Sequence, residues 1–179
     1  MALIITAGAS NANSYADVTI ADTYFDATGR LSEWQAIQEP EGLLYRVMRI
    51  IEKQKYIGSR ATTTQALEFP RLATYQPQPG TGATPSSGDW TDKRGRIWTD
   101  DAVPLPIAEA QCEMAIIASV DDWWLNPESI ENVEIRTGVV RIAPTASTSR
   151  SAGQKALPQA VYDLLEPFLS GVSGGTLRN

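Results

Sequence analysis

Residues 105–123 can be stable only inside something else. Read as a helix opened by Pro104 and Pro106, they place Ile107, Ala110, Met114, Ile117 and Ala118 on one face. Ala108, Cys112, Ala115 and Ile116 nearly fill the rest of the circumference. A helix this apolar must be buried between other elements or in a subunit contact. Its narrow polar strip carries Glu109 and Glu113, four apart, and two like charges so placed are expected to face solvent. The chain has 179 residues, enough for one domain with a real core and short for two.

Several segments can supply the helical shell. Thr19 to Asp22 fits an acidic variant of the capping box and opens a short helix that Gly29 ends, with Tyr24 and Phe25 as its anchors. Ser32 is positioned to cap a helical turn carrying Trp34 and Ile37. Pro40 suits the first turn of a longer helix over 41–56, which Gly58 stops. There Leu43, Leu44, Val47, Ile50 and Ile51 form the apolar stripe, and Arg46, Arg49, Glu52 and Lys53 are its polar neighbours. A last helix over 157–170 puts Val161, Leu164, Leu165, Phe168 and Leu169 on one face.

The remaining segments read differently. Residues 1–18 alternate small and polar after a short apolar start, as an arm would, frayed or laid on a neighbour. Pro70 disfavours a helical Phe69, so 65–71 is expected to be extended. Residues 72–96 are dense in Pro, Gly, Ser and Thr and predict a protruding loop whose far end returns as a short strand. Alternation at Val133 and Ile135, a Thr137-Gly138 turn and the return Val139 to Ile142 predict a β-hairpin over 130–142. Residues 143–156 read as a small-residue linker, and 171–179 as a flexible tail. The expected class is mainly α with a small β component: a helical core at 19–142 and a tethered C-terminal helix that need not pack on its own domain.

The composition narrows the chemistry. There is no histidine, which removes the usual general base at neutral pH and the commonest transition-metal ligand. Cys112, the single cysteine, is expected to be a small buried hydrophobe. No phosphate-binding glycine loop occurs, since Gly80-Thr-Gly82 lacks the lysine and the third glycine. The carboxylates left as candidates are Asp100-Asp101, Glu109/Glu113 and Asp121-Asp122, and neighbours on a helix diverge too far to act as a dyad. No enzyme, cofactor or metal is expected.

The net charge of −6 opposes non-specific binding to a phosphate backbone unless cations cluster in space. Trp90, Trp98, Trp123 and Trp124 could form a base-stacking platform, although closing the core is the commoner use of such residues. Arg60, Arg71, Arg94 and Arg96 flank the long loop and are the candidates for a phosphate contact or for an acidic neighbour. No segment reaches the roughly 18 apolar residues of a membrane span. The first residues lack the basic start of a signal peptide, so a soluble protein made in a cytoplasm is expected.

Blocks of sequence carry a resemblance. Ser14-Tyr-Ala-Asp-Val-Thr to Tyr24-Phe25 with Trp34, Leu43 to Gly58, Gln65-Ala-Leu-Glu-Phe-Pro-Arg71, Ala110-Gln-Cys-Glu-Met-Ala115 and Leu165 to Leu169 follow one another over residues 14–170. In order and spacing they resemble the head–tail connector (adaptor) proteins of tailed bacteriophages. Some relatives are labelled DnaT-like single-stranded-DNA-binding proteins. The resemblance implies a helical-bundle connector fold and a homo-oligomeric ring of about twelve copies at the virion neck. Such a ring sits beneath the portal protein, meets a stopper or tail-completion protein and surrounds the genomic double-stranded DNA, with no membrane. Val161, Leu164, Leu165, Phe168 and Leu169 would then dock on the portal or a neighbouring subunit. The alternative it implies is a single-stranded-DNA-binding replication accessory. The long 72–95 insertion and Pro40-Glu-Gly depart from the pattern.

Overall fold

The computed structural model describes residues 2–72, 89–120 and 157–170. The elements in chain order are α1 (Val18–Ala27), α2 (Leu31–Gln35), α3 (Pro40–Glu52), β1 (Ser59–Arg60), β2 (Arg71–Leu72), β3 (Trp90–Thr91), β4 (Ile97–Trp98), α4 (Leu105–Val120) and α5 (Gln159–Leu165). A 3-10 turn at Glu166–Phe168 follows α5. The fold is mainly α with a small β component. Among the described residues the strands form two antiparallel pairs, with Arg60 opposite Arg71 and Trp90 opposite Trp98. The expected hairpin at 130–142, the linker at 143–156, the tail at 171–179, Trp123 and Trp124 lie outside the described residues, as does most of the 72–96 loop. No helix among the described residues is long and apolar enough to cross a membrane.

α4 is the axis, and α1, α3 and α5 cover it. Ile107, Ala110, Cys112, Met114, Ala115 and Ala118 are fully buried along it. The shell is therefore supplied by the chain itself. Glu113 breaks the expected solvated strip: it is 7% exposed. Its carboxylate pairs with Arg30 at 2.8 Å and accepts from the Tyr24 hydroxyl at 2.9 Å, which fastens α1 and the α1–α2 turn to α4.

The helix ends follow local chemistry. α1 begins two residues earlier than a Thr19 cap would place it, because Asp17 is the cap: its Oδ1 accepts from the Ile20 amide at 2.9 Å. It stops as expected at Gly29, whose φ of 71° lets Arg30 donate to the Phe25 carbonyl and Gly29 to that of Asp26. α2 has no side-chain cap, so Ser32 does not play that part. α3 ends at Glu52, not near Tyr56. Two of its last carbonyls are taken by side chains instead, Ile50 by Gln54 at 2.9 Å and Ile51 by Tyr56 at 2.8 Å, so the backbone is free to unwind.

Both ends of the described chain pack on the core, and two expectations change. Residues 2–17 are not an arm. Ile4 and Asn13 close a loop through bonds of 2.7 and 2.9 Å, and Ser14, Tyr15 and Ala16 are buried. The C-terminal helix does pack on its own domain, with Val161, Leu165 and Phe168 fully buried. Beyond it the backbone lies along residues 55–57, where Ile57 donates to Phe168 and Ser170 to Lys55, each at 2.8 Å.

One side chain ties the first segment to the axis. Gln111 lies in the middle of α4 and is fully buried. Its Oε1 accepts from the amides of Tyr15 at 2.8 Å and Ala16 at 3.1 Å. Its Nε2 donates to Ser14 Oγ at 2.7 Å and to the Leu44 carbonyl at 2.9 Å. All of its hydrogen-bonding capacity is satisfied at the junction of α4, α3 and the N-terminal segment. Gln111→Leu should lower unfolding free energy in urea by about 3 kcal/mol or more, because several buried groups lose their partners at about 1–3 kcal/mol each. A loss below about 1 kcal/mol would contradict this placement.

Candidate functional site

Two of the tryptophans singled out in the sequence, Trp90 and Trp98, gather with Phe69 and Phe168. Phe69 follows the α3 exit and precedes Pro70 through a cis peptide. Its ring meets Tyr56 at 4.8 Å, Tyr15 at 6.0 Å, Phe168 at 6.0 Å and Trp90 at 6.3 Å between centroids. Phe168 in turn meets Trp90 at 5.9 Å and Trp98 at 5.6 Å. Six rings, from Tyr15 to Phe168, thus form one cluster. Trp90 is 1% exposed and belongs to the core. Its indole N–H has no partner among the described residues. Trp98 is half-buried, and the Arg96 guanidinium lies 5.2 Å from its ring.

Asp92 builds the turn that holds these rings. It is fully buried and accepts from the Arg94 and Arg96 amides, Arg96 Nε and Trp98 Nε1 at 2.8–3.0 Å. Gly95 takes a φ of 78° to close the turn, and Asp92 donates to the Arg96 carbonyl at 3.0 Å. The 3-10 turn then braces it: Lys93 donates to the Pro167 carbonyl at 3.1 Å, and Arg94 meets Glu166 at 3.2 Å.

The other two arginines meet at Glu68. Arg60 reaches it at 2.7 Å and Arg71 bonds it more closely. Arg71 is buried and also donates to the carbonyls of Ile57 at 2.8 Å and Gly58 at 2.6 Å. Gln65, likewise buried, donates to the Leu67 and Pro70 carbonyls and accepts from the Thr62 amide. All four candidate arginines therefore have carboxylate partners within the chain. They form two groups, Arg60 with Arg71 and Arg94 with Arg96, and each group stabilises a turn.

The half-buried Glu52 serves the fold in the same way. Glu52 accepts from the Tyr15 hydroxyl and from the Glu68 amide at 3.1 Å. Burial pushes its carboxyl up from the usual range, although those hydrogen bonds pull against it. Burial also raises Glu109. Burial and neighbouring carboxylates push the Cys112 thiol up to about 12, which disfavours a nucleophilic thiolate. Asp100 and Asp101 lie in the turn before α4, and Asp121 and Asp122 lie outside the described residues. No group of three His, Cys, Asp or Glu residues could hold a metal ion among the described residues. An open pocket of about 210 Å³ lies between the start of α3 and the end of α4, lined by Ile37, Gln38, Glu39, Leu43, Arg46, Ala118 and Ser119. The hydroxyl in its lining, that of Ser119, donates to the Ile116 carbonyl at 2.7 Å.

The C-terminal docking residues divide. Val161, Leu165 and Phe168 face this chain's own core, which corrects the expectation that they anchor a neighbour. Leu164 and Leu169 are half-buried, and Tyr162 is 38% exposed. Sequence reasoning missed Gln111 and Asp92. A polar residue amid the apolar run of α4 was the available signal for the first, and Asp92 followed two before Arg94-Gly95 was the signal for the second.

Glu68 gives a pH test. Burial opposes its ionisation, but the hydrogen bonds from Arg60 and Arg71 outweigh it and hold its carboxyl below the usual range. A lowered folded-state pKa contributes stability above the unfolded value and loses it as pH falls through the folded one. Wild-type stability should therefore drop more steeply than that of Glu68→Gln on acidification below the ordinary carboxylate range. Parallel profiles in urea titrations would rule out the Arg60–Glu68–Arg71 group as an electrostatic contributor.

A family model matches residues 1–178, under the description "Putative DnaT-like ssDNA binding protein". No curated protein and no solved structure matches the chain.

Proposed function

We propose that this chain, which belongs to the DnaT-like family matched over residues 1–178, is a non-enzymatic structural subunit that borders DNA, with its place in a head–tail connector ring of a tailed bacteriophage. The observation that carries the reading is where the resemblance blocks go. Tyr15, Gln65, Phe69, Arg71, Gln111 and Phe168 are all buried and bonded within the chain. Such residues hold a shape, and shape is what a ring subunit contributes to its assembly. In this reading the ring sits beneath the portal protein, continues the DNA channel and receives a stopper or tail-completion protein. The net charge of −6 suits a wall past which a polyanion slides.

A second reading, a single-stranded-DNA-binding replication accessory, is favoured by the family description, which speaks of single-stranded DNA and not of a connector. Against a stacking mode stand the burial of Trp90 and the covering of Trp98 by Arg96. Disrupting the gene in the phage that encodes the chain separates the two. The connector reading expects filled or leaking heads beside separate, complete tails in electron micrographs. Arrested DNA synthesis with few particles of any kind would overturn it in favour of the second.

A further inference from the structure

The cations free to meet a ligand are not the four that flank the long loop. Arg30, Arg60, Arg71, Arg94 and Arg96 each have a carboxylate within the chain. On α3 the situation is different. Arg46, Arg49 and Lys53 are exposed and stand at i, i+3 and i+7, which places them along one face of the helix. None has an ion-pair partner among the described residues, and exposed Lys55 follows them directly. Glu52, the carboxylate beside the strip, is turned inward to Tyr15 and the Glu68 amide. Its inward turn leaves the outer face positive on a chain whose net charge is −6.

The strip is also held in place. Leu44, Val47 and Ile51, on the opposite face of α3, are fully buried. Arg49 lies over the Tyr45 ring at 5.3 Å and donates to its hydroxyl at 3.2 Å, which orients the guanidinium without neutralising it. From Arg46 to Lys53 the helix advances about 10 Å at 1.5 Å per residue. That is about the advance of three phosphates along one strand at 3.4 Å each. We propose that the outer face of α3, through Arg46, Arg49 and Lys53, contacts the phosphate backbone of nucleic acid without reading its bases. The assignment rests on neither functional reading: in a ring it would meet the passing DNA, and in a replication accessory it would be the binding face.

Fluorescence anisotropy with a labelled oligothymidylate and the full-length protein tests it. Binding is expected at about 20 mM salt and should weaken about 100-fold by about 200 mM, since three contacts give a slope near −2 on logarithmic axes. The triple change Arg46→Gln, Arg49→Gln, Lys53→Gln should lower affinity at low salt by about tenfold or more. Glutamine is a good helix former at exposed positions, and circular dichroism checks the fold. Lys53→Gln alone should reduce the slope by about 0.7, the share of one contact. Arg94→Gln should leave binding unchanged. Absence of binding at low salt would overturn the proposal and leave the strip to an acidic protein surface. Binding that survives the triple change, or that Arg94→Gln removes, would overturn it as well.

Discussion

The carboxamide of Gln111 is the contact on which the rest of this structure depends. An almost wholly apolar helix at the centre of a domain gives neighbours little to fix their position against. Gln111 supplies four directed bonds at one point, to Ser14, Tyr15, Ala16 and Leu44. In a buried site each unmade bond would carry a desolvation cost, so the N-terminal segment and α3 share one arrangement that satisfies all of them. Tyr15, set by that clasp, then reaches Glu52 and Phe69. Phe69 is where the polar clasp passes into the ring cluster that gathers Tyr56, Trp90 and Phe168.

This chain of contacts explains why residues that look functional are structural. Arg71 is held by three backbone carbonyls and by the Glu68 carboxylate, and its guanidinium lies 5.8 Å from the Tyr56 ring centre. Arg96 is drawn to Asp92 and the Trp98 face. An arginine beside a tryptophan in a sequence suggests nucleic acid, yet the same pairing closes a turn over a core when an acid is nearby. Among the described residues, the positive face left over is on α3. That surface, and separately the connector or DNA-binding role, stand as proposals beside a fold whose internal logic is independent of them.

Helix positions were legible where the signal was local. The apolar stripe of α3, the Gly29 stop and the burial of α4 follow from spacing and from one glycine with positive φ. What was not legible was set by distant partners. Residues 2–17 look like an arm because their anchor, Gln111, is 96 positions away from Tyr15. The C-terminal helix looks detachable because the backbone just beyond it bonds to residues 55–57, far back in the chain. The α3 end was misplaced because Tyr56, an ordinary last-turn residue by periodicity, leaves the helix to join the cluster. At the site, exposure of α3 cations was readable from the stripe, whereas pairing of Arg60, Arg71, Arg94 and Arg96 required knowing where Glu68, Asp92 and Glu166 lie.

Native-state hydrogen exchange, residue by residue, tests the account most directly. If both ends belong to the core, the amides of Tyr15 and Ala16, bonded to Gln111, and those of Ile57 and Ser170 exchange only with global unfolding, as α4 does. If those amides exchange freely while α3 and α4 stay protected, the two ends are arms after all, and Val161, Leu165 and Phe168 return as docking residues.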